Sequence, residues 1–165
     1  MDYLWTPWRY QYVSNATGSE ECVFCAAARS SSDRDFLVVH RAQRNFILLN
    51  RYPYTNGHLM VVPYAHAATL VDLPDETLEE MMRLARDAEK RIRAAYRPEG
   101  LNFGINLGKS AGAGIAGHVH LHALPRWTGD TNFMTVAGET RVLPEDLETT
   151  WEKLRREFDR ESGRT

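Results

Sequence analysis

An α+β domain with a mainly antiparallel sheet is the fold class this sequence predicts, and three observations predict it. Short β-like runs cluster before residue 65 and again after residue 100, one long stretch of helical periodicity separates them, and a charged helical stretch closes the chain. Strands gathered around a single crossing helix belong to that class. A length of 165 residues with 43% hydrophobic content supplies one proper core rather than two large ones, so a single domain spanning 1–165 is expected.

Taken in order, residues 1–21 are aromatic and polar without periodicity, and read as an N-terminal arm anchored by Trp5, Trp8, Tyr10 and Tyr12. A core over 22–127 follows. Its "DFLVVHR" (35–41) and "NFILLNR" (45–51) are strand-like runs around a short turn, which signals a hairpin, and "GHLMVVPY" (57–64) is a third strand. From Asp72, read as an N-cap with Pro74 just after it, apolar residues recur at Leu78, Met81, Met82, Ala85, Ala88, Ile92 and Ala95. That spacing predicts one long amphipathic helix, ended near "RPEG". "LNFGINLG" (101–108) reads as a strand entering the small-residue loop "KSAGAGIAG" (109–117), and "GHVHLHALPRW" (117–127) as the next strand. The extension over 128–165 holds a "RWTGDTNF" loop carried over from the core, a β-like stretch around Met134–Val136, and a helix from about Pro144 to Glu161.

Several function classes are excluded early. A net charge of −2 provides no basic face for gripping a nucleic-acid polymer, although a compact anionic ligand is compatible with it. No apolar run approaches the roughly 18 residues that span a bilayer, and "MDYLWTPWRYQYV" lacks a basic region followed by an apolar one. A cytoplasmic protein is expected. Both cysteines, Cys22 and Cys25, lie three apart in "ECVFCAAA", which in a reducing compartment reads as a metal half-site or a redox pair. The polar "RSSSDRD" that follows is not the strand-to-helix junction of a redox motif, so zinc is favoured. A structural zinc takes four ligands, and the remaining ones must come from histidines.

His118, His120 and His122 alternate with apolar residues, and on a strand such residues emerge from one face. Positions i and i+2 are roughly 6.6 Å apart and can share an ion, whereas i and i+4, roughly 13 Å apart, cannot, so at least one imidazole is left for chemistry. The central His120 is flanked on both sides by groups that can orient it. A neutral imidazole is a competent nucleophile toward phosphorus near pH 7. The preceding loop can aim backbone amides at phosphate oxygens. Two other readings stay open: a hydrolase with a catalytic zinc on two of the histidines, and a nucleotide-binding regulatory module without turnover.

"HVHLHAL", with "LNRYPYTNGHLMVVPYAH" and "LNFGINLGKSAG" upstream, resembles the histidine triad (HIT) superfamily over residues 22–127. "YPYTNGHLMVVPY" and the "PRWTGDTNF" stretch look closest to its diadenosine tetraphosphate phosphorylase branch, although Ala123 and Leu124 precede Pro125 here. The resemblance implies a HIT-like fold, a homodimer, and attack on the α-phosphate of a nucleotide such as a dinucleoside polyphosphate, or alternatively a nucleoside phosphoramidate. It makes His120 the nucleophile that becomes nucleotidylated, and His122 and His58 its partners at the phosphate. Asn50 falls where the family contacts ribose, and Asn106 where it contacts phosphate; Ser110, Gly112 and His118 are further candidate nucleotide contacts. Cys22, Cys25, His66 and His118 match a structural zinc site. Many members carry a Gln-Ser or Gln-Thr pair before the triad, and the phosphorylase branch a serine. Gly114 and Ile115 stand here instead, which leaves open whether water or inorganic phosphate is the acceptor.

Overall fold

The structure, a computed structural model, describes residues 21–130 and 143–162. Residues 1–20 of the expected arm and the stretch around Met134–Val136 lie outside the described residues. Five strands form one antiparallel sheet: β1 (Val38–Arg41), β2 (Asn45–Leu49), β3 (Leu59–Pro63), β4 (Gly100–Ile105) and β5 (Leu121–Arg126), in the order β1-β2-β3-β5-β4. Helices α1 (Val23–Arg29), α2 (Asp75–Tyr96) and α3 (Leu147–Ser162) complete the fold. The α+β class and the antiparallel sheet expected from the sequence are thus observed.

Side-chain alternation along the strands divides the interior in two. Val39, Ile47, Leu49, Leu59, Val61, Leu121 and Ala123 face α2, meeting Met81, Leu84, Ala85, Ala88 and Ile92, and α3 through Leu154 and Phe158. Val38, Phe46, Leu48, Met60 and Val62 face the other way, onto Phe24 and Ala27 of α1. Those α2 residues recur at three- and four-residue spacing, which is the buried stripe of an amphipathic helix.

The elements depart from the sequence reading at two starts and in one added helix, and agree with it at the end of the long helix. The long helix begins at Asp75 with Pro74 at its N-cap, not at Asp72. Asp72 instead ends a 3₁₀ turn (Leu70–Asp72), where its carboxylate accepts a hydrogen bond from Thr69 Oγ1 at 2.6 Å. At the other end Arg97 takes a left-handed conformation (φ 47°), and the following Pro98 cannot continue the helix. The seven-residue α1 is an element the sequence did not signal. Finally, β5 starts only at Leu121, because its partner β3 ends at Pro63, which has no N–H to extend the ladder. His118 to His120 run ahead of the strand, tied by the Val119 N–H to Ala67 O at 2.7 Å.

Candidate active site

Strand register brings His122 into the middle of the sheet. It lies opposite Met60 on β3, which lies opposite Leu48 on β2, while Gly104 of β4 flanks it on the other side. His58 enters the same face just before β3. Its loop is closed by Asn50 N–H to His58 O at 2.9 Å and His58 N–H to Thr55 O at 3.3 Å. Gly57 makes this turn at φ 77°, against the ring of Tyr96, and a Cβ there would meet that ring at 3.0 Å. Thr55 and Asn56 anchor the loop further, donating to Pro125 O at 3.2 Å and to Glu145 O at 2.9 Å.

The hydrogen bonds fix which nitrogen of each imidazole carries the proton. The Tyr54 amide donates to His58 Nδ1 at 3.2 Å, with Asn50 Nδ2 at 3.4 Å from the same atom, so that nitrogen is the acceptor. His58 Nε2–H therefore donates to His122 Nδ1 at 2.9 Å, which leaves His122 with its proton on Nε2. His120 is set the opposite way. Its Nδ1–H donates to the His118 carbonyl at 2.9 Å, so Nε2 keeps a lone pair. The rings of His120 and His122 stand 4.7 Å apart, nearly perpendicular. A bare nitrogen beside an N–H donor suits attack at phosphorus with a hydrogen bond to its oxygens.

All of these imidazoles are buried, and burial disfavours the charged form. Desolvation, with His122 and His120 nearby, pushes His58 down to about 3; desolvation and His120 push His122 down to about 4. Burial also lowers His120, against the opposing effect of the His118 carbonyl. The site is consequently neutral at physiological pH.

His118 belongs elsewhere. Its Nε2–H donates to Pro63 O at 2.9 Å, so Nδ1 is unprotonated and faces Cys22 Sγ at 3.4 Å and Cys25 Sγ at 3.7 Å. His66 Nδ1 lies 3.2 Å from Cys25 Sγ, and the four ligand atoms all sit within 4.8 Å of one another. A tetrahedral zinc with ordinary bond lengths sets sulfur and nitrogen ligands about 3.5 Å apart. The donor set and spacing therefore fit that ion, and the Pro63 carbonyl gives His118 the outer partner that metal-bound histidines use. With both ring nitrogens committed, His118 has none left for the nucleotide contact expected of it. Its carbonyl accepts the His120 Nδ1 proton, which links this group to the neighbouring imidazoles.

The other candidates divide. Asn50 is half-buried beside His58, with its Oδ1 accepting from Tyr52 N–H at 3.0 Å. Asn106 follows Ile105, the residue paired with Leu121. Ser110 is exposed in a 3₁₀ turn (Lys109–Ala111) that ends at Gly112 with φ 87°. Three of the loop amides, those of Ala111, Gly112 and Ala113, turn inward to the carbonyls of Gly108 and Lys109, so any amide of the 109–117 loop aimed at phosphate belongs to the rest of that loop. Gly112 is thus a turn residue whose N–H is used within the loop. Two residues near the histidines went unforeseen. Phe24, between the two cysteines, packs on His118 (5.4 Å) and His120 (5.0 Å); Tyr54 packs on His58 (4.8 Å) and His122 (6.2 Å).

Comparison with known proteins agrees with this geometry. The family model for the HIT domain matches residues 32–129. An "AP-4-A phosphorylase" of Mycobacterium tuberculosis (strain ATCC 25618 / H37Rv) is 40% identical over 165 residues, covering 96% of this chain and 85% of that protein. A Zn-bound histidine triad family protein from Mycobacterium smegmatis superposes with a TM-score of 0.71 at 29% identity, covering 90% of this chain and all of that one. A hypothetical histidine triad nucleotide-binding protein from Sulfolobus tokodaii strain 7 gives a TM-score of 0.67 at 25% identity, over 84% and 93% of the two chains.

Proposed function

The chain belongs to the HIT domain family, and on that premise we propose that it cleaves dinucleoside polyphosphates through a nucleotidyl-histidine formed on His120. The observation that carries this reading is the pair of opposed imidazoles. The Nδ1–H of His120 is held by the His118 carbonyl, so its Nε2 lone pair is free to attack. As the Nε2–P bond forms at the α-phosphorus, the bond from phosphorus to the departing polyphosphate oxygen breaks and its electrons leave with that oxygen. The N–H at His122 Nε2, oriented from behind by His58, donates to the phosphoryl group. Water or inorganic phosphate then attacks the same phosphorus, the N–P bond breaks with its electron pair returning to Nε2, any proton on the attacking oxygen passes to solvent, and His120 is restored. The phosphorylase named among the relatives supports this substrate class and makes phosphate the first acceptor to test.

Asn50 and Asn106 are assigned to the ribose and phosphate, with Ser110 as a further contact. Cys22, Cys25, His66 and His118 are assigned to a closed, structural zinc, supported by their fit to a tetrahedron and by the Zn-bound mycobacterial relative. No open position for a catalytic water exists in a four-ligand set. Free Cys22 and Cys25 suit a reducing cytoplasm. A second copy of the chain is assigned to the open edge of β4, where Phe103 is 42% exposed.

The decisive experiment incubates the protein with a panel of dinucleoside polyphosphates and nucleoside phosphoramidates, with and without phosphate, and follows the nucleotide products. His120→Ala is expected to abolish turnover while binding persists. Undiminished turnover by that variant rules the mechanism out, and binding without turnover by the native protein favours a regulatory module.

A further inference from the structure

The hydrogen bond from His58 to His122 leaves the His122 proton on Nε2, and burial of both rings limits the water that can compete for it. From the β2–β3 loop it is closed by one ring, Tyr54, whose centroid lies 4.8 Å from that of His58 at 45° and 6.2 Å from that of His122 at 27°. Both separations fall in the range of direct aromatic packing. The same residue's amide donates to His58 Nδ1, so ring and backbone act on one chain of hydrogen bonds.

We propose that Tyr54 is a positioning residue that roofs the His58–His122 pair and, by excluding water, keeps the proton of His122 on the nitrogen that meets the phosphoryl group. The proposal rests on the roles given above to His120 and His122. Tyr54 touches the partners of the reacting atom and acts through them.

The surroundings of the pair make the effect readable. His58 is acted on by His122 and His120, and His122 by His120, while burial is the largest influence on both. Asn50, which is not titratable, and the ring of Tyr54 itself also lie against His58. A cation can therefore form on the pair only against dehydration and other imidazoles, and opening the roof removes the larger obstacle. Protonation of His122 at Nδ1 would destroy the acceptor that His58 uses.

The test compares Tyr54→Phe with Tyr54→Ala, or with Tyr54→Leu should the alanine variant fail to fold. Two readouts are taken: kcat against pH on a dinucleoside polyphosphate, and the ring ¹⁵N resonances of His58 and His122 through a pH titration. Removing the ring is expected to lower kcat at least ten-fold with a smaller effect on KM. It should also move the acid limb and the His122 titration upward by a pH unit or more. Tyr54→Phe should recover the native profile. Native kcat and titration in Tyr54→Ala overturn the proposal, as does a Tyr54→Phe variant as impaired as the alanine one. The ring titration does not need turnover: an inactive native protein whose His122 still titrates higher in Tyr54→Ala counts against the catalytic reading and for the roof. An active native protein with unchanged titration in Tyr54→Ala sinks the roof alone.

Discussion

Two neighbouring residues show how tightly the β2–β3 loop is specified. Gly57 sits at φ 77°, where a side chain is strained, and a Cβ would also press on Tyr96 at 3.0 Å. Tyr96 cannot easily retreat, because its hydroxyl donates to Glu145 Oε1 at 2.6 Å. Gly57→Ala is therefore expected to destabilise the fold by about 1–3 kcal/mol, checked by denaturant melting. Its kcat should fall as well, since His58 is the next residue. At this scale the sequence was legible where chemistry has a spacing. Alternating histidines pointed to the imidazoles of His120 and His122 that stand together, and the CxxC pointed to the cluster of Cys22, Cys25, His66 and His118. Tyr54 and Phe24 were illegible because an aromatic residue near a motif carries no mark of which ring it will touch. The inward turn of the Ala111–Ala113 amides was hidden for a similar reason, since glycine and alanine license many loop conformations equally.

At the scale of elements, the long helix and the strands could be read because their apolar residues repeat over enough positions to average out exceptions. The seven residues of α1 could not, because a helix that short has no stability of its own. Tertiary contacts supply it. Arg41 of β1 donates to the carbonyls of Ala27 (2.9 Å), Ala28 (3.2 Å) and Ser30 (3.0 Å), tying down the C-terminal end of α1, and its Nε binds Asp33 at 2.7 Å. Asp33 in turn accepts from Arg155 of α3 at 2.9 Å. Arg41→Ala leaves these carbonyls without their partner, at a cost of about 1–3 kcal/mol. The expected result is weaker zinc retention under chelator competition, with α2 and the sheet intact by circular dichroism. Equal retention would show that α1 holds its place without Arg41.

Across the whole molecule, the buried imidazoles tie stability to pH. The unfolded chain titrates near the ordinary histidine value, about 6.5, whereas folded His58 and His122 titrate near 3 and 4. The lowered folded values mean that the unfolded state binds more protons between those limits. Stability is thus full above about pH 6.5 and declines as the solution is acidified toward 4, by up to a few kcal/mol. Chemical melts at pH 7 and pH 5 measure the slope, and a flat response would show that the pair is hydrated. The fold class was legible at this scale, whereas the clamp on the β2–β3 loop was not: Glu145 reaches it from beyond the family-matched region, 89 residues after Asn56. Arg41 also has a consequence in time. Arg41, on the first hairpin, anchors the C-terminal end of the helix that carries Cys25, so the four-ligand group is expected to be complete only after that hairpin has closed. During refolding, a colorimetric zinc indicator mixed with the chain should report uptake only after a lag, and the lag should lengthen in variants that slow the first two strands.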